Sequence, residues 1–82
     1  MFDKQIMIPY ADTDRDSGVE AFRFTDESIV VKFKTGSTQF YEYTNASAGS
    51  SNVEHMKVLA ETGDGLNSFI NTTVRNSYSD KW

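Results

Sequence analysis

The sequence contains no cysteine and only one histidine, His55. The absence of cysteine excludes a disulfide framework, a cysteine-based zinc site and a cysteine nucleophile. One histidine cannot form a histidine-rich metal site, and no Ser-His-Asp arrangement is recognisable around it. No apolar run approaches the roughly 18–20 residues of a membrane span. The first ten residues also lack the pattern of a secretion signal, so we expect a cytoplasmic protein that does not contact membranes.

The composition is typical of one small globular domain. The chain has 82 residues, of which 38% are hydrophobic and 24% are charged. Eight Lys and Arg stand against twelve Asp and Glu, which gives a net charge of −4. The sequence has no glycine-rich phosphate loop, no paired buried carboxylates and no nucleophile elbow. We therefore predict that the protein is not an enzyme and that it needs no cofactor.

The first half of the chain alternates apolar and polar residues with a period of two. This pattern predicts strands over residues 19–24, 29–34 and 38–43, joined by short turns into an antiparallel meander. On the third strand Tyr41 and Tyr43 share one face, while Phe40 and Glu42 share the other. Burying Glu42 without a partner would cost several kcal/mol, so the tyrosine face is predicted to be the inner one.

After residue 44 the apolar residues recur at helical spacing. Ser51 and Glu54 match a capping box at the start of one helix, and Gly63 matches a left-handed cap at its end. A second helix is predicted over residues 66–76. We expect an α+β fold in which a three-stranded antiparallel sheet is followed by two helices packed on one face. The predicted core is Phe22, Phe24, Ile29, Val31, Phe33, Tyr41, Tyr43, Val53, Met56, Leu59, Leu66, Phe69, Ile70 and Val74.

The two ends of the chain are predicted to lie outside this domain of residues 19–76. Residues 1–18 are expected to form an arm or loop that can add a short edge strand, since Pro9 is tolerated only at an edge. The acidic residues Asp12, Asp14 and Asp16 resemble the start of a calcium loop. Arg23 stands where such a loop needs its closing glutamate, so we expect no metal site there. Residues 77–82 are expected to be a polar tail.

The order of these elements resembles the KTSC domain, a family named after the C-terminal extension of some lysyl-tRNA synthetases. The resemblance covers roughly residues 17–76 and lies in the segments I-V-V-K-F, G-S-T-Q-F-Y-E-Y and F-I-N-T-T-V-R. Tyr41 and Tyr43 match the Tyr-x-Tyr pair of the family, and Asn71 and Arg75 match its last helix. The family also occurs as small free-standing bacterial proteins, and its function is unknown. Its association with a synthetase implies RNA as a partner.

Strand parity places Arg23, Lys32 and Lys34 on the outer face of the sheet, together with Phe40. RNA-binding sheets use cations for phosphates and an exposed aromatic ring for a stacked base. The alternative is an ordinary solvated face, which the acidic net charge and Glu42 on the same face favour.

Two further pairs of residues have two interpretations each. Tyr41 and Tyr43 are either a stacking platform or core aromatics whose hydroxyls reach the rim, and the parity argument favours the core. Asn71 and Arg75 lie four residues apart and share one face of the second helix. That face either contacts a ligand or ties the helix to the hairpin.

These observations predict a small non-catalytic binding or adaptor module that contacts single-stranded or structured RNA weakly. The alternative is a protein–protein interaction or self-association domain that uses the open sheet face or a sheet edge. A monomer is the default expectation.

Overall fold

The computed structural model describes residues 7–11 and 18–82 and shows an α+β fold built on one antiparallel sheet. The sheet has five strands in chain order, so every strand pairs with its sequence neighbours. The strands are β1 (Ile8–Pro9), β2 (Val19–Phe24), β3 (Ser28–Phe33), β4 (Phe40–Thr44) and β5 (Asp80–Lys81).

The helical part of the chain lies between β4 and β5. It consists of α1 (Asn45–Ala48), α2 (Ser50–Thr62), α3 (Leu66–Phe69) and a π-helix (Ile70–Val74) that continues α3 directly. The change to π-helical hydrogen bonding occurs inside the segment that the sequence predicts as one α-helix.

The register of the sheet fixes which side chains share a face. On the inner face Val31 of the central strand lies between Phe22 on β2 and Tyr41 on β4. The β2–β3 register shifts between Val19 and Ala21, which is a β-bulge. The bulge lets Val19 and Phe22 both reach the core despite their odd spacing.

The core forms where the helices cover the inner face of the sheet. Buried strand residues and buried helix residues belong to one cluster, and Tyr10 from the segment after β1 joins it. The Leu66 N–H donates a hydrogen bond to the buried Tyr10 hydroxyl over 3.3 Å. The buried cluster comprises Tyr10, Val19, Phe22, Ile29, Val31, Tyr43, Val53, Met56, Ala60, Leu66, Ile70 and Val74.

The prediction of an antiparallel α+β fold is confirmed, but the predicted counts of three strands and two helices are wrong. The extra strands, β1 and β5, have two residues each at the two edges of the sheet. Strand β1 lies where Pro9 allows a short edge strand, whereas β5 is too short to carry an alternation that would mark it in the sequence. The extra helix α1 falls in residues 44–50, a small and polar stretch that precedes the first predicted helix.

The predicted capping box at Ser51 and Glu54 is wrong. Helix α2 begins at Ser50 after Gly49, which has no side chain to cap it, and Glu54 instead pairs with Lys57 at 2.9 Å. A capping box exists one element earlier, where Thr44 and Ser47 each accept a hydrogen bond from the other's backbone N–H over 3.0 Å. The predicted cap at Gly63 is confirmed, since its φ is 76°.

At two positions the burial differs from what the face of the sheet would suggest. Phe24 was expected in the core and is 38% exposed. It is the last residue of β2, and the Lys57 ammonium lies 5.7 Å from its ring centre. Val30 points to the outer face by strand parity, yet it is only 1% exposed. Its register partners are Arg23 and Glu42, whose long stems flank it.

The acidic segment that resembles the start of a calcium loop lies outside the described residues. Within the described part of the chain, no helix is long and apolar enough to cross a membrane.

Candidate binding surfaces

The outer face of the sheet carries an aromatic pair at the β4–β5 edge. The rings of Phe40 and Trp82 are nearly parallel, with an angle of 5° between their planes and 5.6 Å between their centres. The backbone N–H of Trp82 donates a hydrogen bond to the Phe40 carbonyl over 2.9 Å, which holds the two residues opposite each other. Trp82 remains 48% exposed, so its other ring face is open to solvent.

Lys32 lies beside this aromatic pair. Its Nζ is 5.7 Å from the Phe40 ring centre and 3.2 Å from Oε2 of Glu20. The cation is therefore shared between an aromatic ring and a half-exposed carboxylate. An ion pair this exposed contributes about 0–1 kcal/mol, so a phosphate can compete for the lysine.

The rest of the outer face carries charges of both signs. Arg23 lies opposite Val30, which in turn lies opposite Glu42, and Glu42 lies opposite Asp80. Lys34 follows the end of β3 and is exposed. The register therefore places Arg23 and Lys32 on the face that carries Phe40, where Lys32 is the cation beside the ring and acidic side chains lie among them.

The tyrosine pair of β4 and the Asn71–Arg75 pair meet at a pocket of about 470 Å³ on the inner face of the sheet. Tyr41 and Tyr43 line it from β4, and Asn71 and Arg75 line it from the π-helix and its end. The strand pair and the helix pair lie about thirty residues apart in the sequence, and the fold brings them together.

An edge-to-face aromatic chain forms one wall of the pocket. Tyr41 contacts Phe33 with ring centres 5.4 Å apart and Tyr78 with ring centres 5.3 Å apart, at 88° and 77°. Such contacts hold the rings in fixed orientations. Tyr43 lies deeper and is 1% exposed. Its burial, together with the neighbouring Tyr41 and Tyr78 hydroxyls, raises the pKa of Tyr43 to about 12.

Among the described residues that line the pocket, the charged ones are Arg75 and Lys81. None of the described residues that line the pocket is Asp or Glu. The Lys81 Nζ lies 5.1 Å from the Tyr78 ring centre, and a hydrogen bond with the Tyr78 side chain raises the pKa of Lys81. In a chain of net charge −4, the pocket is a local concentration of positive charge.

Three residues of these two surfaces were missed by the sequence reasoning. Tyr78, Lys81 and Trp82 lie in the segment that was expected to be a polar tail. Strand β5 places Lys81 on the pocket side and Trp82 on the outer side, because successive strand residues point to opposite faces. In the sequence, the aromatic residues Tyr78 and Trp82 were the signal that this segment packs against the domain.

Comparison with known proteins found no matching family model, no matching curated protein and no matching solved structure.

Proposed function

We propose that this protein is a small non-catalytic binding module that contacts single-stranded RNA weakly through the outer face of its sheet. A cytoplasmic location and the relationship to KTSC domains belong to the same proposal. The observation that carries it is the Phe40–Trp82 pair with Lys32 beside it. Bases stack on exposed rings in proteins that bind single strands, and a neighbouring cation contacts the phosphate.

The structure supports stacking more strongly than charge attraction. One base on Trp82 contributes roughly 1–3 kcal/mol. The cations Arg23 and Lys32 lie on the same face as Glu42 and Asp80, so few counterions would be released from the RNA. We therefore expect weak binding, with a Kd of about 0.1–1 mM at low salt, and a shallow dependence on salt.

Fluorescence anisotropy of a labelled oligouridine of about eight nucleotides tests the proposal. Trp82→Ala removes the exposed ring, and Lys32→Glu reverses the charge beside it. We expect each change to weaken binding at least fivefold. Val58→Ala is the matched control, because Val58 is an exposed apolar residue on α2, 54% exposed and far along the chain from β5. Equal affinities for the control and Trp82→Ala would contradict the proposal.

Self-association is the second candidate, and one observation favours it. Ile8 on the edge strand β1 is 49% exposed, and an edge strand can pair with a second copy. Sedimentation equilibrium would detect such a dimer. A dimer that persists in high salt and dissociates in Ile8→Lys would support this candidate over RNA contact.

A further inference from the structure

We infer that the pocket between β4, β5 and the π-helix is a second binding site, which takes a small molecule that carries both a phosphate group and a flat ring, of the size of a nucleoside monophosphate. This inference concerns the face opposite to the proposed RNA surface, so the two stand or fall separately.

The charge of the pocket selects an anion. Arg75 and Lys81 both line it, and no described carboxylate lies within ion-pair distance of either side chain. Two cations with no carboxylate opposite them in the described part of the chain match a phosphate monoester, which carries about −1.5 to −2 charges at neutral pH. The planar guanidinium of Arg75 can also donate two parallel hydrogen bonds to phosphate oxygens.

Tyr43 also lines this pocket, and none of the described residues hydrogen-bonds its hydroxyl. A phenol keeps its proton at neutral pH, so this hydroxyl can donate to an anionic oxygen.

Asn71 lines the pocket from within the π-helix, and Arg75 and Asn76 line it from the turn that follows. The π-helix and its C-terminal turn therefore supply one amide and one cation next to each other, with a second amide beside them. Single π-turns occur frequently at functional sites.

The size and wall of the pocket select the rest of the ligand. A volume of about 470 Å³ lies within the range of roughly 300–1,000 Å³ that small-molecule sites occupy. Phe33, Tyr41 and Tyr78 supply an aromatic wall against which a flat ring can pack. Inorganic phosphate alone would leave this wall without a contact.

Amide shifts of the 15N-labelled protein, recorded with three probes, test the inference. The probes are adenosine 5′-monophosphate, adenosine and inorganic phosphate. We expect the monophosphate to bind saturably with a Kd below about 1 mM, and adenosine and phosphate each to bind at least tenfold more weakly. The shifts should lie at Gly36, Asn71, Asn76 and Tyr78.

Substitutions of Arg75 test whether the positive charge of the pocket binds the phosphate group. Arg75→Gln should weaken monophosphate binding at least tenfold, and Arg75→Lys should recover part of the loss. Val58→Glu lowers the net charge by the same amount on the exposed side of α2 and should leave binding unchanged. Because Arg75 is exposed, unchanged amide signals elsewhere will show that the variants fold.

Three results would overturn the inference. Adenosine could bind as tightly as the monophosphate, the shifts could lie on the outer face of the sheet, or no saturable shift could occur up to about 10 mM monophosphate. A failure here leaves RNA binding to Trp82 unaffected, because Trp82 does not line the pocket.

Discussion

At the scale of single residues, the tyrosines show how one side-chain type serves different roles. Tyr43 is buried at 1% exposure, whereas Tyr41 and Tyr78 are half-buried and hold each other edge to face. The parity argument correctly predicted that Tyr41 and Tyr43 share the inner face. Strand parity could not predict the contact between the rings of Tyr41 and Tyr78, because these residues lie far apart in the sequence.

The buried Tyr43 hydroxyl should make stability depend on alkaline pH. Its pKa rises from 10.0 to about 12 in the folded protein, so between these values the unfolded chain releases a proton that the folded one keeps. Stability should therefore fall as the pH rises from about 10 to about 12, by roughly 3 kcal/mol in total. Urea denaturation across this pH range measures it, and Tyr43→Phe should remove most of the fall. If the unfolding free energy decreased with pH equally in the unsubstituted protein and in Tyr43→Phe, the burial of Tyr43 would not be the cause.

Burial also separates two apolar residues of the last helical segment. Leu66 is fully buried, so Leu66→Ala should cost roughly 2–5 kcal/mol of unfolding free energy. Phe69 is half-buried and has an edge contact with His55 at 4.7 Å between ring centres. Its truncation to Ala should cost less, about 1–3 kcal/mol. Equilibrium urea denaturation compares them, and a larger loss for Phe69 would mean that it is the centre of the packing.

At the scale of elements, the position of the capping box gives a direct prediction. Thr44 caps α1 through reciprocal bonds with Ser47, so Thr44→Ala should cost roughly 0.5–2 kcal/mol. Ser51 lies inside α2 and makes no cap bond, so Ser51→Ala should cost less than about 0.5 kcal/mol. Chemical denaturation of the two variants decides the matter. A larger cost for Ser51→Ala than for Thr44→Ala would mean that the helix cap lies at Ser51, as the sequence pattern predicts.

Elements that depend on local pattern could be predicted from the sequence. The first strand was predicted over residues 19–24 and is found at Val19–Phe24, because its alternation and its turn residues are both local. Strand β5 and the π-turn could not be predicted in this way. Strand β5 forms through backbone bonds to β4 about forty residues earlier, including Ser79 N–H to the Glu42 carbonyl at 2.7 Å. The π-turn keeps Ile70 and Val74 buried, as an α-helix would, so the apolar stripe does not reveal it.

At the scale of the whole molecule, the last residues link both candidate surfaces. Lys81 contributes a cation to the pocket, and Trp82 contributes an open ring to the outer face. The sequence predicted most members of each surface, namely Phe40 and Lys32 outside and Tyr41, Tyr43, Asn71 and Arg75 at the pocket. It could not assemble them, because the residues that complete both surfaces arrive through a strand that only tertiary contacts form.

The separation of the two surfaces predicts independent binding. Saturating the protein with adenosine 5′-monophosphate should change its affinity for oligouridine by less than about twofold, because the contacts lie on opposite faces of the sheet. Anisotropy titrations with and without the monophosphate measure this. Competition between the two ligands would mean that both enter one site.

The central claim is that RNA contacts the outer face at Phe40 and Trp82. It is tested most directly by amide and indole shifts of the 15N-labelled protein during titration with single-stranded RNA at low salt. The claim predicts that the Trp82 indole N–H and the Lys32 and Phe40 amides shift together and follow one binding curve. Shifts confined to the pocket or the helices, or no shift at about 1 mM RNA, would contradict it.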